Sequence, residues 1–356
     1  MKKGILFIAP YPTDENIKDG MISRVNAIDQ QFTDIEKAYL EISITKNLNN
    51  NGIDHKKRVY SLNLFLHFFL IVRLLYRYSH LYLHSVWECE KVWIFLPLYK
   101  GKLILDAHGV VPEEIFYYDK QKQFSNYMNF VEKATFKKAQ IVVCVTEAMK
   151  KYFKKKHPSF KGEYIVYSIY PHHIERIDVE QIIHHKIKNK IRIIYSGGVS
   201  PWQNIDKMLH AIKKVKGDNI EYQLLVNDKE FVLDKVRKMG ITSPIEIDSV
   251  LPQHLKEHYL KADYAFILRD DTVVNNVASP TKMIEYLNYG IIPITLSDNI
   301  GDYKELGYVS LPLSQFNSKL EKPTRADIET NLSVVHKLIN QNKEVDFPQA
   351  ILAPIS

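Results

Sequence analysis

Cysteine is scarce in this sequence, and long apolar runs are absent. Cys89 and Cys144 are the only cysteines among 356 residues, each in an apolar setting, which indicates reduced core thiols in a cytosolic protein. Their spacing does not fit a zinc site. No stretch approaches the roughly 20 apolar residues that a membrane span requires. The first apolar run ends at Pro10 without a small-residue cleavage site, so it predicts a buried strand and not a signal peptide.

The composition excludes a disordered chain and limits the classes of binding partner. With 46% hydrophobic and 25% charged residues the chain is globular, and its length suggests two domains that each bury a core. The formal net charge of +7 fits nucleic acid, an anionic membrane or a phosphate-bearing substrate, and composition alone does not choose among them. The basic residues lack the interleaved aromatic residues of a recognised nucleic-acid motif, which disfavours nucleic acid.

Short apolar runs alternate with segments of helical periodicity along the whole sequence. This alternation predicts an α/β fold with two doubly wound parallel sheets. The predicted first domain covers residues 1–172, a linker covers 173–190, the second domain covers 191–325, and a final helix with a tail covers 326–356. The polar stretch from Tyr170 to Lys190, which includes this linker, contains His172, His173, His184 and His185. A metal site is one interpretation, but the absence of organised carboxylate or cysteine partners favours a plain linker.

The segment from residue 264 to residue 295 contains the densest group of candidate site residues. A buried strand at 264–268 is followed by charged residues, and Ser279 is predicted to cap a helix that begins at Pro280. Lys282 and Glu285 lie three residues apart on one face of this helix. Charged side chains at the end of a strand, facing a helix N-terminus, predict a site for an anionic ligand. An ordinary strand, solvated loop and helix is the alternative.

Two further groups follow predicted strands. Gly197 and Gly198 come after a strand at 191–195 and precede a helix at 205–215, an arrangement that lets backbone amides approach a phosphate. In the first half, the string LDAHGVVPEE places Asp106 and His108 where another strand ends. Both patterns are open to a structural interpretation, because a bare Gly-Gly turn and a single histidine are common without any binding role.

These motifs resemble those of a known family. The string SPTKMIEYLNYG followed by IIPI is similar to the nucleotide-sugar signature of GT-B glycosyltransferases, in particular the large retaining family four. The string DAHG followed by PEE resembles the acceptor-domain signature of the same family, and SGG at 196–198 resembles its first nucleotide-domain loop. The resemblance implies two Rossmann-like domains facing a cleft, with the C-terminal helix crossing back to the first domain.

The resemblance also implies roles for individual residues. It places His108 beside the transferred sugar, Lys282 at the donor diphosphate and Glu285 at the ribose. The implied catalytic residues are His108, Asp106 and Lys282. The implied donor-binding residues are Gly197, Gly198, Gln203, Arg269, Ser279, Pro280, Thr281, Lys282 and Glu285, and the implied acceptor or cleft residues are Gly20, Arg24 and Glu113. For Gly20 a generic strand-to-helix turn is an equal alternative.

The sequence departs from the family pattern at two positions. Val277 stands where a second glutamate is common, so contacts to sugar hydroxyls would come from neighbours, namely Asp270, Asp271, Asn275 and Asn276. Gln203 stands near the position where a cation commonly meets the diphosphate. Lys282 is therefore expected to be the main phosphate cation.

Two segments of the first half bear on membrane contact. The segment from Tyr60 to Tyr78 is apolar nearly all round, and it is interpreted either as a buried core helix or as an interfacial helix on anionic lipid. The segment from Lys150 to Lys156 is rich in lysine, a pattern that usually marks a solvated helix face. Together they favour peripheral contact with the inner face of the membrane by a cytoplasmic protein.

The sequence therefore predicts a glycosyltransferase that moves a sugar from a nucleotide-sugar donor to a glycan or lipid-linked glycan, with retention implied by the family. No metal or cofactor is expected, because Lys282 and helix amides can neutralise the leaving diphosphate and no Asp-x-Asp metal motif is found. Two alternatives remain open, a non-catalytic GT-B-like binding protein and a sugar-nucleotide epimerase.

Overall fold

The structure is a computed structural model that describes residues 2–17, 19–170, 174, 177–186 and 189–353. The chain divides into two compact units, Met1–Ile169 with Glu344–Ser356, and Tyr170–Lys343. The described part of the predicted linker lies within the second unit and contains a helix, while His172 and His173 lie outside the described residues. The first unit therefore contains all the strands and helices that precede residue 170, together with residues 344–353.

The first unit is built on a mainly parallel sheet. Its strand order is β3-β4-β2-β1-β5-β6-β7-β8, and among these only the β3–β4 pair is antiparallel. Strand β1 pairs with β2 on one side and β5 on the other, so the sheet has its topological switch point between β1 and β5. The strands are β1 Lys2–Ile8, β2 Lys37–Ser43, β3 Ile53–Asp54, β4 Val59–Asn63, β5 Tyr78–His84, β6 Lys102–Ala107, β7 Ile141–Cys144 and β8 Glu163–Val166.

Helices connect these strands, and side-chain caps define several of their starts. Asp19 caps the first helix, where its Oδ1 accepts a hydrogen bond from the Met21 amide at 2.8 Å. Thr146 caps the sixth helix through a 2.9 Å bond from the Met149 amide. The helices are α1 Gly20–Asp29, α2 Phe68–Arg77, α3 Ser85–Cys89, α4 Val111–Glu114 continued by a π-helical segment Ile115–Asp119, α5 Lys122–Phe136 and α6 Glu147–Lys156, with 3₁₀ turns at Asn50–Gly52 and Leu96–Leu98.

The segment from Tyr60 to Tyr78 is not a single helix, which corrects both sequence interpretations. It starts in β4, turns at residues 64–67, continues as α2 and ends at the first residue of β5. Asn63 causes the turn, because its Oδ1 accepts hydrogen bonds from the Phe65 and Leu66 amides while its amide nitrogen donates to the Ile44 carbonyl. Because the Asn63 side chain pairs with these backbone groups, the strand ends at Asn63 and the helix begins only at Phe68.

The second unit contains a fully parallel sheet with the strand order β11-β10-β9-β12-β13-β14. Strand β9 lies between β10 and β12, so this sheet has its switch point between β9 and β12. The strands are β9 Ile191–Gly197, β10 Ile220–Val226, β11 Ile245–Asp248, β12 Tyr264–Ile267, β13 Ile292–Thr295 and β14 Leu311–Pro312.

Helices cover both faces of the second sheet, as its near-continuous apolar strands require. One apolar core packs α7, α10, α12 and α14 against the sheet, and another packs α8 and α9 on the other face. The helices are α7 Val179–His185, α8 Ile205–Lys214, α9 Lys229–Lys238, α10 Leu255–Lys261, α11 Val273–Asn276, α12 Thr281–Asn288, α13 Tyr303–Leu306 and α14 Arg325–Lys343, with 3₁₀ turns at Pro201–Gln203, Pro252–His254 and Leu313–Gln315.

The limits of α12 differ from the prediction at one end. The helix begins at Thr281 and not at Pro280, because Pro280 has an extended ψ of 121° and occupies the N-cap position. Ser279 therefore lies one residue outside the cap and does not cap the helix. At the other end Gly290 has a φ of +62°, and a Cβ there would lie 2.8 Å from Ile328 and 2.9 Å from Ile182. Both the backbone conformation and the packing require glycine at this position.

The last helix of the described residues is α15, Phe347–Leu352, which belongs to the first unit. The Phe347 ring stacks on Tyr167 with centroids 4.2 Å apart and lies 5.9 Å from Phe32. The Lys102 amine donates to the Ala353 carbonyl at 2.9 Å. The last described residues are thus part of the first unit's core, whereas α14 belongs to the second unit.

Candidate functional sites

Arg24 and Asp106 form a buried ion pair at the switch point of the first sheet. Asp106 is near the end of β6 and has no exposed surface, and Arg24 on α1 is 6% exposed. The Arg24 Nε donates to both carboxylate oxygens at 3.0 Å, and its Nη2 donates to Oδ1 at 2.7 Å. The two residues are 82 positions apart in the sequence, so local patterns do not reveal this contact. The structure thus places two of the predicted candidates, Arg24 and Asp106, in direct contact.

The carboxylate of Asp106 is kept ionised by its neighbours. Burial alone would raise the pKa of Asp106, but the Arg24 charge and the neighbouring imidazoles of His108 and His84 together outweigh burial and hold that pKa well below the usual range. The Tyr82 hydroxyl donates to Oδ2 at 3.1 Å, and burial together with the Asp106 charge raises the pKa of Tyr82 well above its ordinary value. Arg24 also donates to the Tyr167 carbonyl at 3.2 Å, so the pair is held by strands β5, β6 and the end of β8.

Two imidazoles lie against this carboxylate. The Nδ1 of His108 is 3.8 Å from Oδ1 of Asp106, and the Nδ1 of His84 is 3.5 Å from Oδ2. His84 is the register partner of Asp106 on β5 and is fully buried, and burial lowers its pKa, so its imidazole is neutral. The His108 side chain is 17% exposed. Within the described part of the chain, both ring nitrogens of His84 and the Nδ1 of His108 have no hydrogen-bond partner.

The remaining first-domain candidates are placed differently. The Glu113 carboxylate binds the Lys156 amine at 2.7 Å and the Tyr152 hydroxyl at 2.6 Å. Gly20 begins α1, and a Cβ there would meet nothing within 4 Å, so packing does not require glycine. The neighbouring Glu114, not singled out from the sequence, folds back on the DAHG loop and accepts the Val110 amide at 3.1 Å.

In the second unit, Lys282 and Glu285 contact each other on one face of α12, as the spacing predicted. The Lys282 Nζ lies 2.8 Å from Oε2 of Glu285, and the side chains are 33% and 6% exposed respectively. The Tyr259 hydroxyl on α10 donates to the same Glu285 oxygen at 3.0 Å and accepts from Lys282 at 3.2 Å. The carboxylate expected at the ribose is thus positioned by two side chains.

A hydrogen-bond network links this pair to the end of β9. The Ser196 hydroxyl lies 2.6 Å from the Tyr259 hydroxyl, and the Ser196 amide donates to the Tyr286 hydroxyl at 2.9 Å. Sequence reasoning missed all three residues. Ser196 belongs to the string SGG and Tyr286 to the string SPTKMIEYLNYG, so both residues lay within motifs that the sequence had revealed. Nothing in the local sequence pointed to Tyr259.

The loop after β9 is open at Gly198. A Cβ at this position would find only the Asn227 side chain, at 3.9 Å, so the protein's own packing does not demand glycine there. The loop continues into a 3₁₀ turn in which the Gln203 amide donates to the Ser200 carbonyl at 2.9 Å. Asn204 then donates to the Leu268 carbonyl at 2.8 Å, which joins this loop to the loop that follows β12.

Arg269 also lies in the loop that follows β12. Burial raises the pKa of Tyr195 on the neighbouring strand β9, and the Arg269 charge opposes that rise. At the start of α12, Ser279 and Pro280 are half-buried and Thr281 is exposed. Because β12 and β9 are parallel neighbours, Arg269 and the Gly197–Gly198 pair both stand at the carboxyl ends of strands beside the switch point of the second sheet.

The polar residues expected to contact sugar hydroxyls form hydrogen bonds with one another and with neighbouring side chains in the structure. Asp270 binds the Lys207 amine at 2.5 Å, and Asn275, which is 4% exposed, donates to the Asp270 carbonyl at 2.9 Å. Asn276 donates to Asp271 at 2.7 Å. Val277, at the position of the common second glutamate, is 4% exposed. Their predicted contacts with a sugar remain predictions.

The lysine-rich helix α6 is partly neutralised. Lys156 binds Glu132 at 2.6 Å in addition to Glu113, and Lys150 binds Glu147 at 3.0 Å. Within the ranges that the structure describes, no helix is long and apolar enough to cross a membrane. Over the same ranges, no three His, Cys, Asp or Glu side chains are grouped to hold a metal ion.

Comparisons with known proteins place these features in a fold family. No protein-family model matches the sequence. Over 128 residues the chain is 28% identical to an uncharacterized glycosyltransferase of Methanocaldococcus jannaschii. This match covers 36% of the chain and spans 33% of that relative's length.

Solved glycosyltransferase structures are similar over nearly the whole chain. Sucrose-phosphate synthase from Thermosynechococcus elongatus has a TM-score of 0.64 at 12% identity, covering 99% of this chain and 96% of its own. HepE from Anabaena, in complex with UDP-glucose, has a TM-score of 0.65 at 12% identity, covering 98% and 99%. The lipopolysaccharide outer core galactosyltransferase WaaB has a TM-score of 0.66 at 11% identity, covering 100% of both chains. The chain has the fold of the GT-B glycosyltransferases, as the sequence resemblance predicted.

Proposed function

We propose that this protein is a glycosyltransferase that uses a nucleotide-sugar donor. The observation that supports this most strongly is the Lys282–Glu285 pair on α12, joined through Tyr259 to Ser196 at the end of β9. A cation and a carboxylate stand at the carboxyl edge of a parallel sheet, beside a glycine loop and a helix N-terminus. This edge is where doubly wound folds bind nucleotides.

The proposed chemistry needs charge stabilisation at the leaving group. When the bond from the sugar to the diphosphate breaks, negative charge grows on the diphosphate oxygens, and the Lys282 ammonium with the first amides of α12 would stabilise it. Glu285 would accept hydrogen bonds from the ribose hydroxyls. No metal is needed when a cation and helix amides supply this stabilisation. Retention of anomeric configuration follows from the family resemblance alone.

An apolar surface on the first unit supports a lipid-linked acceptor. Phe65, Leu66 and Phe69 are 70%, 63% and 86% exposed, and Ile44 beside them is 52% exposed. These residues lie at the carboxyl ends of β2 and β4, which are parallel to β1, β5 and β6. The surface therefore shares a sheet edge with Asp106, with β2, β1 and β5 between them, so an acceptor held by its lipid there would extend its glycan along this edge toward His108.

The same surface supports peripheral contact with the inner face of an anionic membrane. Large exposed apolar patches are unusual on soluble proteins and mark interaction sites. Arg73 and Arg77 on α2 are exposed beside this patch, and they fit anionic headgroups. The lysine-rich helix contributes less than its sequence predicted, because Lys150 and Lys156 already bind carboxylates.

A nucleotide screen followed by product analysis tests the proposal. A free nucleotide at 100 times its dissociation constant should add about 2.7 kcal/mol to the free energy of unfolding, and thermal denaturation detects this. Nucleotide sugars that share the stabilising base are then incubated with and without glycan or lipid-linked acceptors. Acceptor-dependent glycosylated product supports the transferase.

Three other outcomes contradict the transferase. Nucleotide binding with neither transfer nor slow donor hydrolysis would identify a binding protein. Conversion of the donor into an epimer without any acceptor would identify an epimerase. Absence of stabilisation by every nucleotide would remove the donor site from α12 altogether.

A further inference from the structure

We propose that Arg24 and Asp106 are positioning residues that fix the imidazole of His108 with its proton on Nδ1 and its Nε2 free to accept a hydrogen bond. The position of the proton is a property of the first unit alone. Only the link from this arrangement to sugar transfer rests on the proposed function.

The carboxylate of Asp106 has little freedom to rotate. The Arg24 Nε contacts both oxygens at 3.0 Å, Nη2 contacts Oδ1 at 2.7 Å, and Tyr82 contacts Oδ2 at 3.1 Å. Bidentate pairing with a planar guanidinium fixes the plane of a carboxylate as well as its charge. Asp106 therefore presents a fixed, anionic acceptor toward the DAHG loop.

His108 is the group that can adjust to this acceptor. Its Nδ1 is 3.8 Å from Oδ1 of Asp106, roughly 1 Å beyond hydrogen-bond length, and it is buried without a partner in the described structure. A small rotation of the imidazole closes this distance, whereas Asp106 is held in place. A carboxylate that accepts from Nδ1 selects the tautomer in which Nε2 is an acceptor.

The other titratable groups around His108 are consistent with this arrangement. His84 on β5 is neutral through burial and lies on the opposite carboxylate oxygen, where it does not compete for Oδ1. Cys144 on β7 and Tyr82 are neutral, because burial raises the pKa of each. Glu114 on α4 interacts with the charge of His108 but bonds to the Val110 amide, and burial raises its pKa.

The partly exposed His108 can then contact substrate through Nε2. Asp106 has no exposed surface, so it acts through its neighbours and does not touch a bound sugar. A neutral imidazole with a fixed lone pair accepts a hydrogen bond from a sugar hydroxyl without any change in charge. The catalytic contact is thereby assigned to His108, and the orientation of that contact to Arg24 and Asp106.

Nitrogen-15 NMR of the histidine rings tests the proton position directly. The wild-type protein, labelled at its histidine nitrogens, is compared with His108→Gln to assign the His108 signals. The expected spectrum of the neutral His108 ring shows a protonated Nδ1 and an unprotonated Nε2. A wild-type spectrum with the proton on Nε2 overturns the proposal, and this result needs no variant of the pair and no substrate.

Variants extend the test. In Asp106→Asn and Arg24→Lys, the population with the proton on Nδ1 should fall, while Arg192→Gln, which removes a guanidinium 3.1 Å from Glu221 in the second unit, should leave the His108 signals unchanged. A folded Asp106→Asn protein with unaltered His108 signals would refute the positioning role. If transfer is established, Arg24→Lys should lower kcat at least about tenfold with little change in the donor KM. A fall in kcat accompanied by an equal rise in the donor KM would indicate a merely structural role.

Discussion

The Nζ of Lys282 lies 2.8 Å from the Oε2 of Glu285, so the cation expected at the diphosphate neutralises the carboxylate expected at the ribose. Glu285 is 5% exposed, and its carboxylate also accepts a hydrogen bond from the Tyr259 hydroxyl. The pair forms because the two residues are three positions apart on α12, where side chains of one face meet. A bound nucleotide sugar would give each charge a partner of its own.

Removing the Lys282 amine should impair the donor reaction. We expect Lys282→Ala to lower kcat/KM for donor turnover by about 100-fold or more, the scale for losing one preorganised charge contact in a transition state. The measurement is nucleotide release under steady-state conditions. Lys235→Ala is a matched control, since that lysine binds Asp206 in the same unit and its side chain is 27% exposed. Near-normal turnover by Lys282→Ala would reject the assigned role.

The Tyr259 hydroxyl should matter for nucleotide affinity although it was not found from the sequence. Tyr259→Phe removes the donor that Glu285 accepts from at 3.0 Å, and hydrogen bonds to charged groups contribute about 1.5–3 kcal/mol. We therefore expect affinity for the free nucleotide to fall at least about tenfold in a calorimetric titration. Tyr264→Phe, whose hydroxyl donates to the Glu321 carbonyl, should bind normally. Equal affinities for the two variants would contradict the network.

His108 should affect transfer more than binding. We expect His108→Ala to reduce transfer while the affinity for nucleotide, measured by calorimetry, changes little, because the residue belongs to the first unit and the proposed nucleotide contacts belong to the second. Tm is measured alongside to exclude unfolding. A variant that mainly loses nucleotide affinity would show that His108 has been assigned the wrong substrate contact.

The Arg24–Asp106 ion pair should make the free energy of unfolding depend on pH in the acidic range. Removing one partner of a buried ion pair typically costs about 3–5 kcal/mol, so Arg24→Leu should lower the free energy of unfolding by that amount at pH 7. The pKa of Asp106 is lowered in the folded state, so the stabilisation is present above the unfolded pKa and is lost as the pH falls through the folded value. The difference between wild type and variant should therefore shrink below about pH 4.

Urea denaturation at several pH values measures this difference. Lys37→Leu, which removes a half-buried partner of Asp29, is the control and should cost about 1 kcal/mol or less. A constant difference between wild type and Arg24→Leu from pH 7 to pH 3 would contradict an ionised Asp106.

The apolar surface should determine membrane binding. The double variant Leu66→Ser and Phe69→Ser should lower binding to vesicles of phosphatidylglycerol and phosphatidylcholine by at least about tenfold, since burial of one such side chain contributes about 1.5–3 kcal/mol. Phe231→Ser, at a 39% exposed position in the second unit, is the control. Cosedimentation measures both. Unchanged binding of the double variant would remove this surface from any membrane contact.

Local patterns predicted the second half of the chain well, and the reason is physical. Strands buried on both faces are continuous apolar runs, and the helices between them begin and end at polar, proline or glycine residues. The predicted helix 205–215 and the observed Ile205–Lys214 differ by one residue. Pro280 was placed one residue too far inside its helix, because sequence alone does not reveal its extended ψ.

The first half was harder to predict. The strand Lys37–Ser43 was missed, since its apolar residues are interrupted by charges, and the segment from Tyr60 to Tyr78 was taken as one element. There the Asn63 side chain competes with backbone hydrogen bonding, an effect that apolar periodicity does not report.

The sequence by itself determined the α/β class, the position of most strand ends and the residue types gathered there, because periodicity and capping are local properties of the chain. Only the tertiary structure decided which of these side chains meet. Arg24 contacts Asp106, which is 82 positions away in the sequence, and Tyr259 contacts Glu285 from a different helix. Parallel strands bring distant residues to one edge of a sheet, and the order of those strands is set by packing of the whole unit.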